Sequence, residues 1–266
     1  MKSLKLINWA IAAIIVISTS CDPIEERELL SNSFEADKIE LSVVHASPGS
    51  NLFTLKLNTP GVTGYWDYTI GKGFSNEVEV LYPITGTQTF TYVVSSGYIP
   101  DGDLNLVEYI TKTIDVDIAV LDKDVPAQYG YLVGEGSKTW VFDKSVADRY
   151  WYMTDADWNA FWWAPGDPTD GNGRIVFDLE GKPNFTYYAS PDADPVTGST
   201  WVFNADFSTL RIMGPANILG VEGGGVSSTG SKEYHIKEFT ADRLVLFMPG
   251  VVWSPGWVWV FKPLEN

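Results

Sequence analysis

From residue 39 to residue 262 the sequence runs in short stretches of alternating apolar and polar residues. Clusters of Gly, Pro, Asn, Asp and Ser cut each one off. Strict alternation places successive side chains on opposite faces of a strand, so each stretch can bury one face and wet the other. Residues 41–45, 52–57, 64–71, 76–82, 85–94 and 107–118 fit this pattern in the first half. Residues 138–143, 173–179, 184–189, 200–203, 209–213, 232–238, 243–248 and 256–262 fit it in the second. Strands at this spacing predict an all-β protein with little helix. A chain of 266 residues has room for two domains. The first six stretches predict an Ig-like β-sandwich over 37–118. The remainder, 119–266, predicts a second antiparallel β-sandwich, with a closed barrel as the alternative, because at least eight strands suffice for either. In the last stretch Trp257, Trp259 and Phe261 share one face while Val258 and Val260 share the other. One of these apolar faces is core, and the other requires a cover.

Tryptophan is distributed very unevenly. Nine of the eleven lie between residues 140 and 259, and Trp151, Trp158, Trp162 and Trp163 fall within thirteen residues. Thr154 with Asp157 three residues later resembles a capping box, and Pro165-Gly166 is a helix stop, so a short helix is expected near 155–164. Its spacing puts Trp158 and Trp162 on one side, with Phe161 adjoining and Trp163 turned away. A short helix buries one side only, so four Trp and a Phe exceed what it can hide. The uncovered rings suit a flat, half-apolar ligand such as a sugar. The candidate carbohydrate site is therefore Trp151, Trp158, Trp162 and Trp163, with Trp253 as a fifth ring. Asp155, Asp157 and Asn159 are expected to hydrogen-bond to hydroxyls.

The formal charge of −16 disfavours nucleic acid and peripheral binding to anionic membranes. It also disfavours polyanionic glycans in the absence of a local basic patch, and the sequence displays none, so a neutral polysaccharide is expected. Signatures of catalysis are sparse. His45 and His235 lie in separate predicted strands and read as structural, and Gly223-Gly224-Gly225 lacks the context of a phosphate loop. A glycoside hydrolase needs only two carboxylates, for which Asp155, Asp157, Asp167, Asp170 and Asp178 are candidates. The first pair fits a helix start and Asp167 and Asp170 fit a turn, so no enzyme activity is expected. No cofactor is implied. A structural calcium ion stays open at Asp101 and Asp103 or at Asp115 and Asp117.

Lys2 and Lys5, the apolar run 6–17 and Ser18-Thr19-Ser20-Cys21 read as an export signal. With Cys21 the sole cysteine, the stretch resembles a bacterial lipobox whose thiol is lipidated, with Ser18 where Leu is commonest. Asp22, Glu25, Glu26 and Glu28 resemble the acidic signal that sends Bacteroidetes lipoproteins to the outer face, as part of a tether over 22–36. The Tyr65-Trp66-Asp67-Tyr68 element, with the 85–94 strand, resembles a PKD (polycystic-kidney-disease) domain, although Thr69-Ile70-Gly71 replaces the usual Gly-Asp-Gly. That resemblance implies Trp66 as a buried aromatic between sheets. The succession 234–247 before a terminal aromatic strand is similar to the end of lipocalin-like domains. The whole arrangement resembles surface glycan-binding lipoproteins that accompany SusC/SusD-type uptake systems. It implies an outer-membrane lipoprotein facing the cell surface, held to the membrane by its lipid alone and partnered with a SusC/SusD-like complex. A lipocalin-like carrier and an adhesin are the remaining alternatives.

Overall fold

A computed structural model of the protein describes residues 35–94, 109–155, 158–220, 232–250 and 255–265. The leader with Cys21, the acidic tether up to residue 34, Asp101, Asp103, Asp157, Gly223 to Gly225 and Trp253 lie outside the described residues.

The chain is all-β, as expected. Its first seven strands are β1 (Leu41–His45), β2 (Leu52–Leu57), β3 (Gly64–Asp67), β4 (Lys72–Gly73), β5 (Glu77–Leu81), β6 (Gly86–Val94) and β7 (Thr111–Ile118). They form two antiparallel sheets, ordered β1-β2-β5 and β4-β3-β6-β7, which is an Ig-like sandwich. Phe53 of one sheet meets Phe90 of the other with ring centres 5.6 Å apart, and Tyr82 packs edge-on against Phe90. Trp66 is fully buried beside Tyr92, its cross-strand partner. Where the sequence departs from the Gly-Asp-Gly turn, Thr69 takes φ 70°, a left-handed conformation that a β-branched residue adopts only under strain. The next residue, Ile70, packs against the core of the second half.

The chain leaves the sandwich along a laced path. Ala119 and Val120 donate their N–H groups to the Gly49 carbonyl, and Asn51 exchanges two 2.9 Å hydrogen bonds with the backbone of Lys123. Ser50 and Ser47 donate to Asp122 and hold its carboxyl down at about 2.

Helix α1 (Ala127–Val133) precedes ten further strands. These are β8 (Ser137–Phe142), β9 (Trp151–Thr154), β10 (Phe161–Trp163), β11 (Arg174–Asp178), β12 (Asn184–Tyr188), β13 (Val196–Phe203), β14 (Thr209–Met213), β15 (Glu233–Phe239), β16 (Leu244–Met248) and β17 (Gly256–Pro263). Strands β8 and β11 to β17 pair antiparallel in sequence order, and β17 returns to β8, closing an eight-stranded up-and-down barrel. The barrel, not a second sandwich, is thus the form of this half. Closure follows from the length of β17: residues 261–263 pair with β8, while residues 256–259 pair with β9. An open sandwich would leave β8 and β17 as exposed edges, and the pairing removes both.

Interior positions carry large side chains that fill the space, as eight strands allow. Trp140, Trp201, Tyr234, Trp259, Phe177, Phe185 and Phe261 are closed to water. Three interior indoles donate to main-chain carbonyls: Trp140 to Leu132 of α1 at 2.9 Å, Trp201 to Asp178 at 3.3 Å, and Trp259 to Leu219 at 2.7 Å. The segment 216–220 therefore packs against the barrel core. Asp170 secures it by accepting from the Gly220 N–H and from the Tyr187 hydroxyl, each at 2.8 Å. Gly220 (φ 80°) must stay small, because a Cβ there would lie 2.7 Å from the Trp151 indole nitrogen.

The short helix expected near 155–164 does not form. Strands β9 and β10 pair as a β-hairpin instead, with β10 at the edge of the sheet. Thr154 does not cap a helix; its hydroxyl donates across the hairpin to the Ala160 carbonyl at 2.6 Å, and the Asp155 N–H reaches the same carbonyl. Three consecutive aromatics at 161–163 suit a strand better than a helix, and pairing with β9 supplies their backbone partners.

Candidate aromatic and cationic site

The site grows from the detour between β8 and β11. After β8 the chain makes a 3-10 turn (Lys144–Arg149), whose start is capped by Asp143 accepting from the Ser145 N–H. Alternation along β9 then divides its side chains. Trp151 turns inward, stacks on Trp257 at 5.0 Å and is only 4% exposed. Tyr152 turns outward, level with Val258. At the hairpin's turn Trp158 adopts φ 72°, which lays its ring edge-on against Phe247 at 5.4 Å.

This geometry answers the need for a cover on β17. Val245, Phe247, Val258 and Val260 form an apolar outer face on β16 and β17, and all four are buried. Trp158, Tyr152 and Val146 pack against the buried cluster to which these residues belong. The detour thus acts as a flap over the barrel wall. Its last strand stands largely open among the described residues: Phe161 is 43% exposed, Trp162 57% and Trp163 55%.

Of the residues expected to bind sugar, the structure brings Trp158, Trp162, Trp163, Asp155 and Asn159 together on this hairpin. It separates Trp151, which belongs to the barrel core. Trp162 and Trp158 do not share a helix face; Trp162 lies on β10 and Trp158 at the turn. Asp155 accepts a hydrogen bond from the Asn159 N–H and so serves the turn, while the Asn159 side chain faces solvent. Trp253 and Asp157 lie outside the described residues.

Beside the exposed rings runs a groove of about 310 Å³ lined by Arg149, Tyr152, Trp158, Lys237, Glu238 and Arg243, with Val146, Val245 and Val260 completing its apolar lining. Rings connect groove and ledge, since Tyr152 lies 6.4 Å from Trp158 and 5.6 Å from Phe161. The Arg149 guanidinium sits 4.5 Å from the Phe161 ring centre. Burial raises the pKa of Tyr152, an effect that Arg149 and Arg243 partly oppose, so its hydroxyl remains a neutral donor at physiological pH. Sequence reading misses Arg149, Tyr152, Lys237 and Arg243. These four come from two distant parts of the chain, the stretch 149–152 and the hairpin of β15 and β16.

Three further carboxylates considered for hydrolysis, Asp167, Asp170 and Asp178, make structural hydrogen bonds. Asp167 accepts from the Tyr150 hydroxyl and from Lys144, which together lower its pKa. Asp170 is buried in its loop, and Asp178 accepts from the Glu180 N–H and the Asn184 amide. His45 bonds the Ser50 carbonyl through Nδ1, and His235 lies beside Phe247. Asp115 and Asp117 stand on β7, where Thr89 donates to Asp115, and no group of three or more metal-ligating side chains occurs among the described residues. No protein-family model matches the chain, and no curated protein matches it.

Proposed function

We propose that this protein binds a polysaccharide through the ledge formed by Phe161, Trp162 and Trp163, and that the turn carrying Trp158 flanks the bound chain. One observation carries the reading: Trp162 and Trp163 are more than half exposed on an edge strand, next to a barrel that buries Trp140, Trp201 and Trp259 on its inward face. Flat apolar rings presented to water match the apolar faces of pyranose rings, and an edge strand offers space for an extended polymer. Large side chains occupy the interior positions of the described barrel, which favours a ligand on its outer side over the enclosed ligand of a lipocalin-like carrier. The lipobox-like leader and the acidic run after it support display of this site at the cell surface, where a SusC/SusD-like complex is the partner for uptake.

The test is a titration of the full-length protein with soluble polysaccharides, monitored by tryptophan fluorescence and by affinity electrophoresis. Binding to at least one polymer, weakened in Trp162→Ala and Trp163→Ala, is the expected result. Equal affinity in both variants, or no polymer bound at all, would defeat the proposal. Release of sugar from any of these polymers would instead identify a hydrolase.

A further inference from the structure

The acidic composition hides a local excess of positive charge. Arg149 arrives from the 3-10 turn, Lys237 from a register shift in β15, and Arg243 from the turn before β16, and all three line the groove beside the aromatic ledge. Arg243 is already neutralised: it donates to Glu238 at 2.8 Å and to the largely buried carboxylate of Asp143 at 3.2 Å. Arg149 and Lys237 differ from it. Among the described residues neither meets a carboxylate. The partners they do have are ring faces: Phe161 for Arg149, and Phe247 and Trp158, at 4.9 and 5.6 Å, for Lys237.

A ring face orients a cation and leaves its charge uncompensated. Two such cations in one partly apolar groove, within a protein of charge −16, are an uncommon use of scarce positive residues. The pair Arg243–Glu238 keeps the groove's own carboxylate from closing on Lys237. The Tyr152 hydroxyl adds a neutral donor in the same groove. Cation, donor and flat apolar wall are the parts that recognise a sugar ring bearing an anionic substituent.

We infer that the polysaccharide taken by the ledge is acidic, and that Arg149 and Lys237 receive its uronate carboxylate or sulfate ester in the groove. This rests on the ledge being a polysaccharide site and changes the expected ligand from neutral to anionic. Only the fold brings these basic residues together, and no run of sequence contains them.

The experiment compares the full-length protein on polygalacturonate, its methyl-esterified form, a sulfated galactan and a neutral glucan, at low and at moderate salt. Expected is binding to at least one acidic polymer, weakened by salt and lowered about tenfold or more in Arg149→Gln or Lys237→Met, as for loss of a charged hydrogen bond. Lys237→Met removes the charge while keeping an unbranched side chain of similar length beside Phe247. Lys237→Arg retains charge and binding, which separates loss of charge from loss of fold. Preference for polygalacturonate over its methyl ester assigns the carboxylate, and preference for the sulfated galactan assigns the sulfate. Binding confined to the neutral polymers and the ester, unchanged in Arg149→Gln and Lys237→Met but lost in Trp162→Ala, overturns this inference and leaves the ledge intact. Binding of acidic polymers that ignores both substitutions also overturns it. Failure of every polymer removes the polysaccharide reading itself, and this inference with it.

Discussion

Inside the barrel, Trp140, Trp201 and Trp259 are closed to water, and each indole N–H reaches a carbonyl in α1, at the end of β11 or in the 216–220 segment. On the β9–β10 hairpin, Trp162 and Trp163 stand more than half exposed, with no hydrogen bond to their N–H groups among the described residues. The side chain is the same and its surroundings are opposite. A buried indole gains from both close packing and an acceptor, and these three use their acceptors to tie the barrel wall to a neighbouring segment, whereas, among the described residues, the buried Trp66 and Trp151 are held by packing alone. An exposed indole does neither for the fold, and its apolar face and its donor remain available to a ligand. The hairpin can carry such rings because its own anchorage lies elsewhere, in Trp151 below and Trp158 beside.

Removing one ring from each region should separate the two roles most sharply. Trp259→Ala is expected to cost about 3–5 kcal/mol of stability, because it leaves a cavity and strips the Leu219 carbonyl of its donor. Trp163→Ala should change stability by no more than about 0.5 kcal/mol. Urea unfolding monitored by far-UV circular dichroism reads both. A Trp163→Ala loss comparable to that of Trp259→Ala would show that the ledge is part of the core, and the contrast would collapse.

The next effect is on binding. Each ledge ring is expected to contribute about 1–3 kcal/mol to polymer affinity, by analogy with the stacking of other flat ligands. Trp162→Ala and Trp163→Ala should therefore weaken binding by tens-fold with little change in unfolding. Acrylamide quenching provides an independent measure: the quenchable fraction of fluorescence should fall in these two variants and rise slightly in Trp140→Phe, which removes only a buried emitter.

Much of this architecture is legible in the chain. The alternating stretches locate most of the strands within a residue or two, because period 2 is visible wherever one face is buried. The burial of Trp66 is an expectation of the resemblance that residues 65–68 carry, and not of the period. What escapes is decided by distance. Closure of the barrel depends on residues 261–263 reaching β8 across more than a hundred residues, and no local pattern reports that. The aromatic stretch 158–163 misleads, since Trp158 and Trp162 lie four apart, a helical spacing, although the backbone there is a strand with a left-handed turn. Exposure is legible there as an excess of rings, and which individual rings it falls on is not. Arg149 lies far from Lys237 and Arg243 in sequence, so their convergence emerges only once β15 and β16 stand beside the β9–β10 hairpin.

Trp158 lies between the two regions and should show a mixed response. Its ring covers Phe247 yet remains partly open, and its backbone at φ 72° is strained for a bulky residue. Trp158→Ala is expected to lower stability by about 1–2 kcal/mol and also to weaken binding, as the groove loses a wall. Trp158→Gly relieves the backbone while removing the same ring. If packing on Phe247 is what matters, the two variants bind alike and the glycine one is the more stable.

The smallest expected effect concerns the base of the hairpin and its dependence on pH. Hydrogen bonds from Tyr150 and Lys144 lower the pKa of Asp167 below the usual carboxylate value. A lowered folded-state pKa stabilises the fold above the unfolded-state value near 4, and that contribution disappears as pH falls through the folded value. Asp167 is largely exposed, so solvent screening makes the contribution slight. Asp167→Asn should therefore leave stability at pH 7 a little lower and its decline below about pH 4 a little shallower, read by thermal melts across that range. Acrylamide quenching of Trp162 and Trp163 should be unchanged by the same substitution. Were it to change, the ledge would owe its exposure to the Tyr150–Asp167 contact, and the hairpin could no longer be treated as anchored by Trp151 and Trp158 alone.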